Sequence, residues 1–80
     1  MGWYVYILEC SDTTYYTGIT TDIERRIGEH TAGVGAKYTK GRGPLKLMYQ
    51  EEHADRSFAS KREIEIKSLS KAQKLVLISR

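Results

Sequence analysis

Between Ala32 and Gln50 the chain carries Lys37, Lys40, Arg42 and Lys46 and no acidic residue. Glycines stand at 33, 35, 41 and 43, and Tyr38 sits among the cations. Such a segment suits a nucleic-acid backbone, because Lys and Arg neutralise phosphates whatever the base sequence and an aromatic ring offers a stacking face. It equally suits an ordinary solvated loop. Upstream, Arg26 and His30 form an i, i+4 pair. At about 100° per residue, Ile23 and Ile27 define the buried face of their helix, Arg26 and His30 run along one border, and Arg25 points to solvent. An arginine snorkelling over apolar surface and a satisfied peripheral histidine would look the same. Further on, Glu63 and Glu65 flank a stripe of Phe58, Ala59, Ile66 and Leu69 on opposite sides, and periodicity does not choose between them.

Two tyrosine-bearing segments, Tyr4-Val5-Tyr6 and Tyr16-Thr17-Gly18, put Tyr6 and Tyr16 ten residues apart. Taken alone, Tyr6 reads as a core aromatic. For both phenols to serve one site they must leave the same face of a hairpin. That requires paired residue numbers with an even sum, hence an odd-length loop or a bulge near Asp12.

The elements that must position these side chains follow from local pattern. Trp3 to Leu8 is aromatic and β-branched, apolar at odd and even positions alike, so it reads as a central strand covered on both faces. Ser11 to Thr14 is turn-like, and Tyr15 to Ile19 returns as the second strand. Thr21-Asp22-Ile23-Glu24 reads as a capping box that starts a helix running to about His30 and stopping near Gly33. Leu45 to Gln50 is the third strand. A second helix runs from near Asp55 to about Leu69 with Ile64 facing out, and Ser70-Lys71-Ala72-Gln73 caps a short terminal helix. The expected class is α+β: a three-stranded antiparallel sheet flanked by helices, in the order β-β-α-β-α-α.

Eighty residues suit one domain spanning the chain, with a thin core. The lone cysteine, Cys10, forms neither an internal disulfide nor a zinc site by itself, which fits a reducing cytoplasm. No segment approaches the roughly 18 apolar residues of a membrane span, and the N-terminus lacks the basic lead-in of a signal peptide. The net charge of +3 and pI near 9.1 are mild.

The ordered set Tyr6, Tyr16, Arg26, His30 resembles the GIY-YIG nuclease superfamily. There, two tyrosine motifs on a hairpin precede a helix bearing an arginine, and a later helix bears a glutamate. Gly35-Ala36-Lys37-Tyr38-Thr39 and Ile66-Lys67-Ser68-Leu69-Ser70 are similar to stretches of the small bacterial stand-alone members, and the likeness covers roughly residues 3 to 78. Tyr4 and Thr17 depart from the name-giving glycine and isoleucine, at positions that supply no reacting group. The resemblance implies a divalent-metal-dependent endonuclease acting on DNA, with repair or recombination as its setting. A nucleic-acid-binding module without turnover is the alternative. Carried over, Tyr6, Tyr16, Arg26 and His30 are the catalytic set, and Glu63, four residues after Ala59, is the ligand for Mg2+ or Mn2+. Lys37, Tyr38, Lys40, Arg42 and Lys46 would dock nucleic acid. Arg26 would grip a non-bridging phosphate oxygen, and Tyr6 would take the proton of water provided something lowers its pKa. Weak selectivity, a protein partner or a homodimer is expected to accompany so small a module.

Overall fold

The computed structural model describes residues 2–80, the side chain of Tyr38 excepted. Its elements are β1 (Trp3–Glu9), β2 (Tyr15–Thr20), α1 (Ile23–Thr31), a 3-10 turn (Lys37–Thr39), β3 (Lys46–His53), α2 (Arg56–Lys67) and α3 (Lys71–Ile78). The order is the expected β-β-α-β-α-α. The sheet is antiparallel with strand order β2-β1-β3, so β1 is central. That placement accounts for its unbroken apolar run: Val5, Tyr6, Ile7 and Leu8 are all buried.

Pleating divides those four residues between two layers. Val5 and Ile7 form the main core with Ala59, Ile66 and Leu77, ringed by Trp3, Tyr15, Ile19, Tyr49, Leu69 and Ile78. The opposite face carries Tyr4, Tyr6 and Leu8 toward α1, whose Ile23 and Ile27 line a groove of about 430 Å³ with Tyr4, Leu47 and Gln50. One face therefore makes the fold and the other is left for the site.

Several local readings are corrected. Asp22, not Thr21, caps α1; its carboxylate accepts from the Arg25 N–H at 3.1 Å, and the Thr20 hydroxyl fixes the Asp22 backbone. Asp55 caps α2 in the same way, and the Ser70–Gln73 capping box of α3 is present in full. Phe58, read as part of the buried stripe, is 57% exposed, because α2 turns Ala59 and Ile66 inward. Ile64 faces out as expected. Strand β3 outruns its apolar segment to His53. Its polar end stays in the sheet because Glu51 accepts from the Tyr49 hydroxyl and His53 Nε2, both at 2.5 Å, and from Arg62 Nε at 3.1 Å. Among the described residues no helix is long and apolar enough to cross a membrane.

Candidate active site

The hairpin meets the same-face requirement through loop length. Tyr6 pairs with Gly18 and Leu8 with Tyr16, and the last pair, Glu9 with Tyr15, leaves a loop of five residues, 10 to 14. Tyr6 and Tyr16 therefore leave the same face as diagonal neighbours, with ring centroids 6.3 Å apart. The Tyr6 ring lies directly across β2, a path that only glycine at position 18 leaves open. A Cβ there would stand 2.5 Å from the Tyr6 oxygen and 2.7 Å from its Cζ.

Helix α1 brings His30 onto this face as its one buried residue. The Tyr6 hydroxyl and His30 Nε2 are 2.9 Å apart, and the Tyr16 ring meets the imidazole edge-on at 5.2 Å. One turn earlier Arg26 lies beside the Tyr6 phenol and ion-pairs with Glu29 at 3.1 Å. Arg25 is exposed, yet it lines the same surface notch as Arg26. Glu63 arrives from the other side of the sheet on α2. It is partly shielded and pairs with Lys67 at 3.3 Å, and its charge is felt at the Tyr6 phenol.

Burial dominates the electrostatics. It pushes the Tyr6 phenol up to about 12, and the Tyr16 and Glu63 charges add to the rise while Arg26 only partly opposes it. The expectation of a lowered phenol is therefore overturned, and Tyr6 rests protonated. Burial, assisted by the Arg26 charge, holds His30 below its usual value against the pull of Glu29, so the ring is neutral near pH 7.

Thr39 is a site residue the sequence did not single out as one. The loop after α1 folds back over His30, with Gly35 so close that a Cβ would sit 2.5 Å from Nδ1. Thr39, itself buried, places its hydroxyl 2.8 Å from Nδ1 and 2.9 Å from the Ala36 carbonyl. The Thr39 hydroxyl donates to the Ala36 carbonyl, so its contact with His30 asks for the tautomer protonated at Nδ1, in which Nε2 is bare and can accept from the Tyr6 hydroxyl. The Ala36 N–H competes for Nδ1 from 3.2 Å and favours the opposite tautomer. Its only signal in the chain was membership of the Gly35–Thr39 stretch.

The cations of that loop separate on folding. Lys37 and Lys40 are exposed, whereas Arg42 ion-pairs with Asp12 across the hairpin loop. Lys46 pairs with Glu9 in the sheet register, on the face opposite Tyr6. It is thus apart from Tyr6, Tyr16, Arg26 and His30. The Tyr38 side chain lies outside the described residues.

Among the described residues no three His, Cys, Asp or Glu side chains converge into a metal cage. The donor set fits a hard ion that keeps several waters and needs one carboxylate, and Glu63 already holds a cation, the Lys67 ammonium.

Residues 2–75 match the model of the GIY-YIG catalytic domain. A UPF0213 protein of Halobacterium salinarum is 57% identical over 92% of this chain and 96% of its own length. One from Staphylococcus haemolyticus is 55% identical over 94% and 92%. Two solution NMR structures share the fold. The UPF0213 protein of Bacillus halodurans is 49% identical with a TM-score of 0.63, and a protein of E. faecalis is 38% identical with a TM-score of 0.68. Each alignment covers 99% of this chain and 84% of the neighbour. A hairpin that presents two tyrosines to an arginine–histidine helix, in a chain matched along nearly its whole length, thus belongs to the GIY-YIG catalytic domain family and to its UPF0213 group.

Proposed function

We propose that the protein is a metal-dependent endonuclease that hydrolyses phosphodiester bonds in DNA. The observation that carries this reading is the meeting of Tyr6, Tyr16, Arg26 and His30 on one sheet face, with the charge of the Glu63 carboxylate felt at the Tyr6 phenol. Family membership supports the nuclease class, and the choice of DNA rests on the same resemblance. A cytoplasmic setting in repair or recombination, with a protein partner or a second copy lending selectivity, belongs to the proposal as well.

Arg26 grips a non-bridging phosphate oxygen with a planar, permanently charged fork that Glu29 keeps oriented. Because burial keeps the Tyr6 phenol protonated, Tyr6 acts as a conduit: it takes the proton of the attacking water while passing its own to His30 Nε2. Thr39 makes Nε2 the receiving atom by holding the other ring proton. Tyr16, packed on His30, orients the water or the phosphate. Glu63 would hold Mg2+ or Mn2+, which when bound supplies charge neutralisation at the phosphate and at the leaving oxygen.

The test is cleavage of duplex, single-stranded and branched DNA with Mg2+ or Mn2+ by the wild type, Glu63→Gln and Tyr6→Phe. Wild-type cleavage that both substitutions reduce by at least about 10²-fold supports the reading. DNA binding without cleavage by the wild type would select the binding-module alternative. Undiminished cleavage by Tyr6→Phe would return Tyr6 to the core.

A further inference from the structure

The site sits midway along the outer edge of β2, and the two ends of that edge are built alike. Beside the start of the strand, Tyr15, Tyr16, Thr17, Lys67 and Lys74 line a notch of about 340 Å³. Lys71 stands over the Tyr15 ring at 5.6 Å, and the Thr17 hydroxyl is buried without a hydrogen-bond partner. Beside its end, a notch of about 310 Å³ is lined by Trp3, Ile19, Arg25, Arg26 and Arg56, among others, with Arg56 over the Trp3 ring at 5.6 Å. Each notch joins cations to an aromatic face, the pairing that single-stranded and backbone recognition use.

Helix α2 explains the symmetry. Arg56, Ser60, Glu63 and Lys67 follow at spacings of four, three and four, which is one helical stripe. The notch contacts show this stripe running along β2 in the opposite sense, Arg56 beside Ile19 and Lys67 beside Tyr15 and Thr17. Its length of about 16 Å matches the roughly 17 Å of the six-residue strand. The stripe reads positive, negative, positive, with the carboxylate at the reacting position. Beyond it, from Ile66 to Arg80, the chain contains Lys67, Lys71, Lys74 and Arg80 and no acid.

We propose that the outer edge of β2 is the bed of a nucleic-acid track, on which the phosphates flanking the reacting one dock in the Lys67–Lys74 notch and the Arg25–Arg56 notch. The track is about five duplex base steps long at 3.4 Å each. It is separate from the loop cations Lys37 and Lys40, and it rests on the nuclease reading for the identity of its ligand. Recognition along it is by charge on the phosphates, with the Trp3 and Tyr15 rings seating Arg56 and Lys71, and without base readout.

Fluorescence anisotropy of a short labelled DNA duplex, titrated over a range of salt without divalent metal, tests the track. The proteins are the wild type, Arg56→Gln, Lys74→Gln, their double variant, Lys37→Gln/Lys40→Gln, and Lys61→Gln, whose ammonium lies over Phe58 on another face of α2. Arg56→Gln and Lys74→Gln should each lower the slope of log K against log salt by about one, and the double variant by about two. Lys61→Gln should leave it unchanged. Loss of slope in the loop variant alone would overturn the track while leaving the nuclease reading intact. An equal loss from Lys61→Gln would reduce the effect to net charge and overturn it too. A wild type that binds no DNA would remove the nuclease reading itself.

Discussion

Nδ1 of His30 receives opposite instructions from the Thr39 hydroxyl and from the Ala36 N–H, and Thr39→Val tests which of them sets the tautomer. With the Thr39 hydroxyl present, Nδ1–H has an acceptor and Nε2 is free to take the phenolic proton. In Thr39→Val the partner left at Nδ1 among the described residues is the Ala36 N–H, which demands a bare Nδ1 and moves the ring proton to Nε2. The proton between Tyr6 and His30 then points the wrong way. We expect the 15N shifts of His30 to exchange their protonated and bare signatures. Cleavage should fall about 10- to 100-fold, the loss of one buried hydrogen bond of about 1–3 kcal/mol. Thr39→Ser should restore both. Unchanged 15N shifts in Thr39→Val would mean that Ala36 already governs the ring.

At the scale of elements, the β1–β2 hairpin positions the phenols and leaves little slack. Gly18→Ala puts a methyl into the Tyr6 ring, and the ring has nowhere to retreat because it is buried. Overpacking of this kind costs about 1–3 kcal/mol. Because Tyr6 must turn away from His30, cleavage should drop further than stability. Denaturant unfolding and cleavage measured side by side check this; a destabilised variant with intact turnover would show that the Tyr6–His30 contact is dispensable. The hairpin, the element order and the α3 cap were legible because each is a local pattern. Strand parity was legible only as a condition: the strand ends read from the pattern, Leu8 and Tyr15, leave an even loop, and it is the extension of β1 to Glu9 that makes the loop five residues and the pairing sum even. The α1 cap was misread by one residue because Thr21 and Asp22 are both good caps and only the fold of Thr20 favours Asp22. Phe58 was misassigned because α2 has its inner stripe filled by Ala59 and Ile66. Thr39 and the α2 stripe were invisible for another reason. An irregular loop has no period, and a stripe with a charge at each end means nothing until the strand beside it is known. The raised Tyr6 pKa belongs to the same group, since burial is a property of the assembled layers.

On the scale of the molecule, a neutral buried histidine links stability to pH. His30 is held below its ordinary value of 6.5 in the fold, first by burial and then by the Arg26 charge. Above pH 6.5 the ring is neutral folded or unfolded and contributes nothing. As pH falls below 6.5 the unfolded chain binds a proton that the fold resists, so stability declines until the folded ring also titrates. Urea unfolding between about pH 8 and 5 should show this decline in the wild type and a smaller one in His30→Gln. A wild-type profile flat across that window would contradict the buried neutral ring. Charge is distributed on the same scale: the acid-free stretches 32–50 and 66–80 lie far apart in the chain. The first folds over His30 through Thr39, and the second borders the Tyr15–Thr17 end of β2 with Lys67 and Lys74.

The Arg56–Trp3 stack gives that edge an optical voice. Trp3 is the single tryptophan of the chain, half-buried, and its ring is capped by the guanidinium at 5.6 Å. A phosphate arriving in the notch draws Arg56 toward itself and off the indole, and indole emission responds to a neighbouring charge. Unlabelled protein titrated with DNA should therefore change its tryptophan fluorescence in step with binding, and added salt should reverse the change. Arg56→Gln should lose most of that response even at DNA concentrations that saturate it. An emission signal that never moves while anisotropy reports full binding would mean that nothing docks against Trp3. The protein carries its own dye at the far end of the track, read without attaching anything to it.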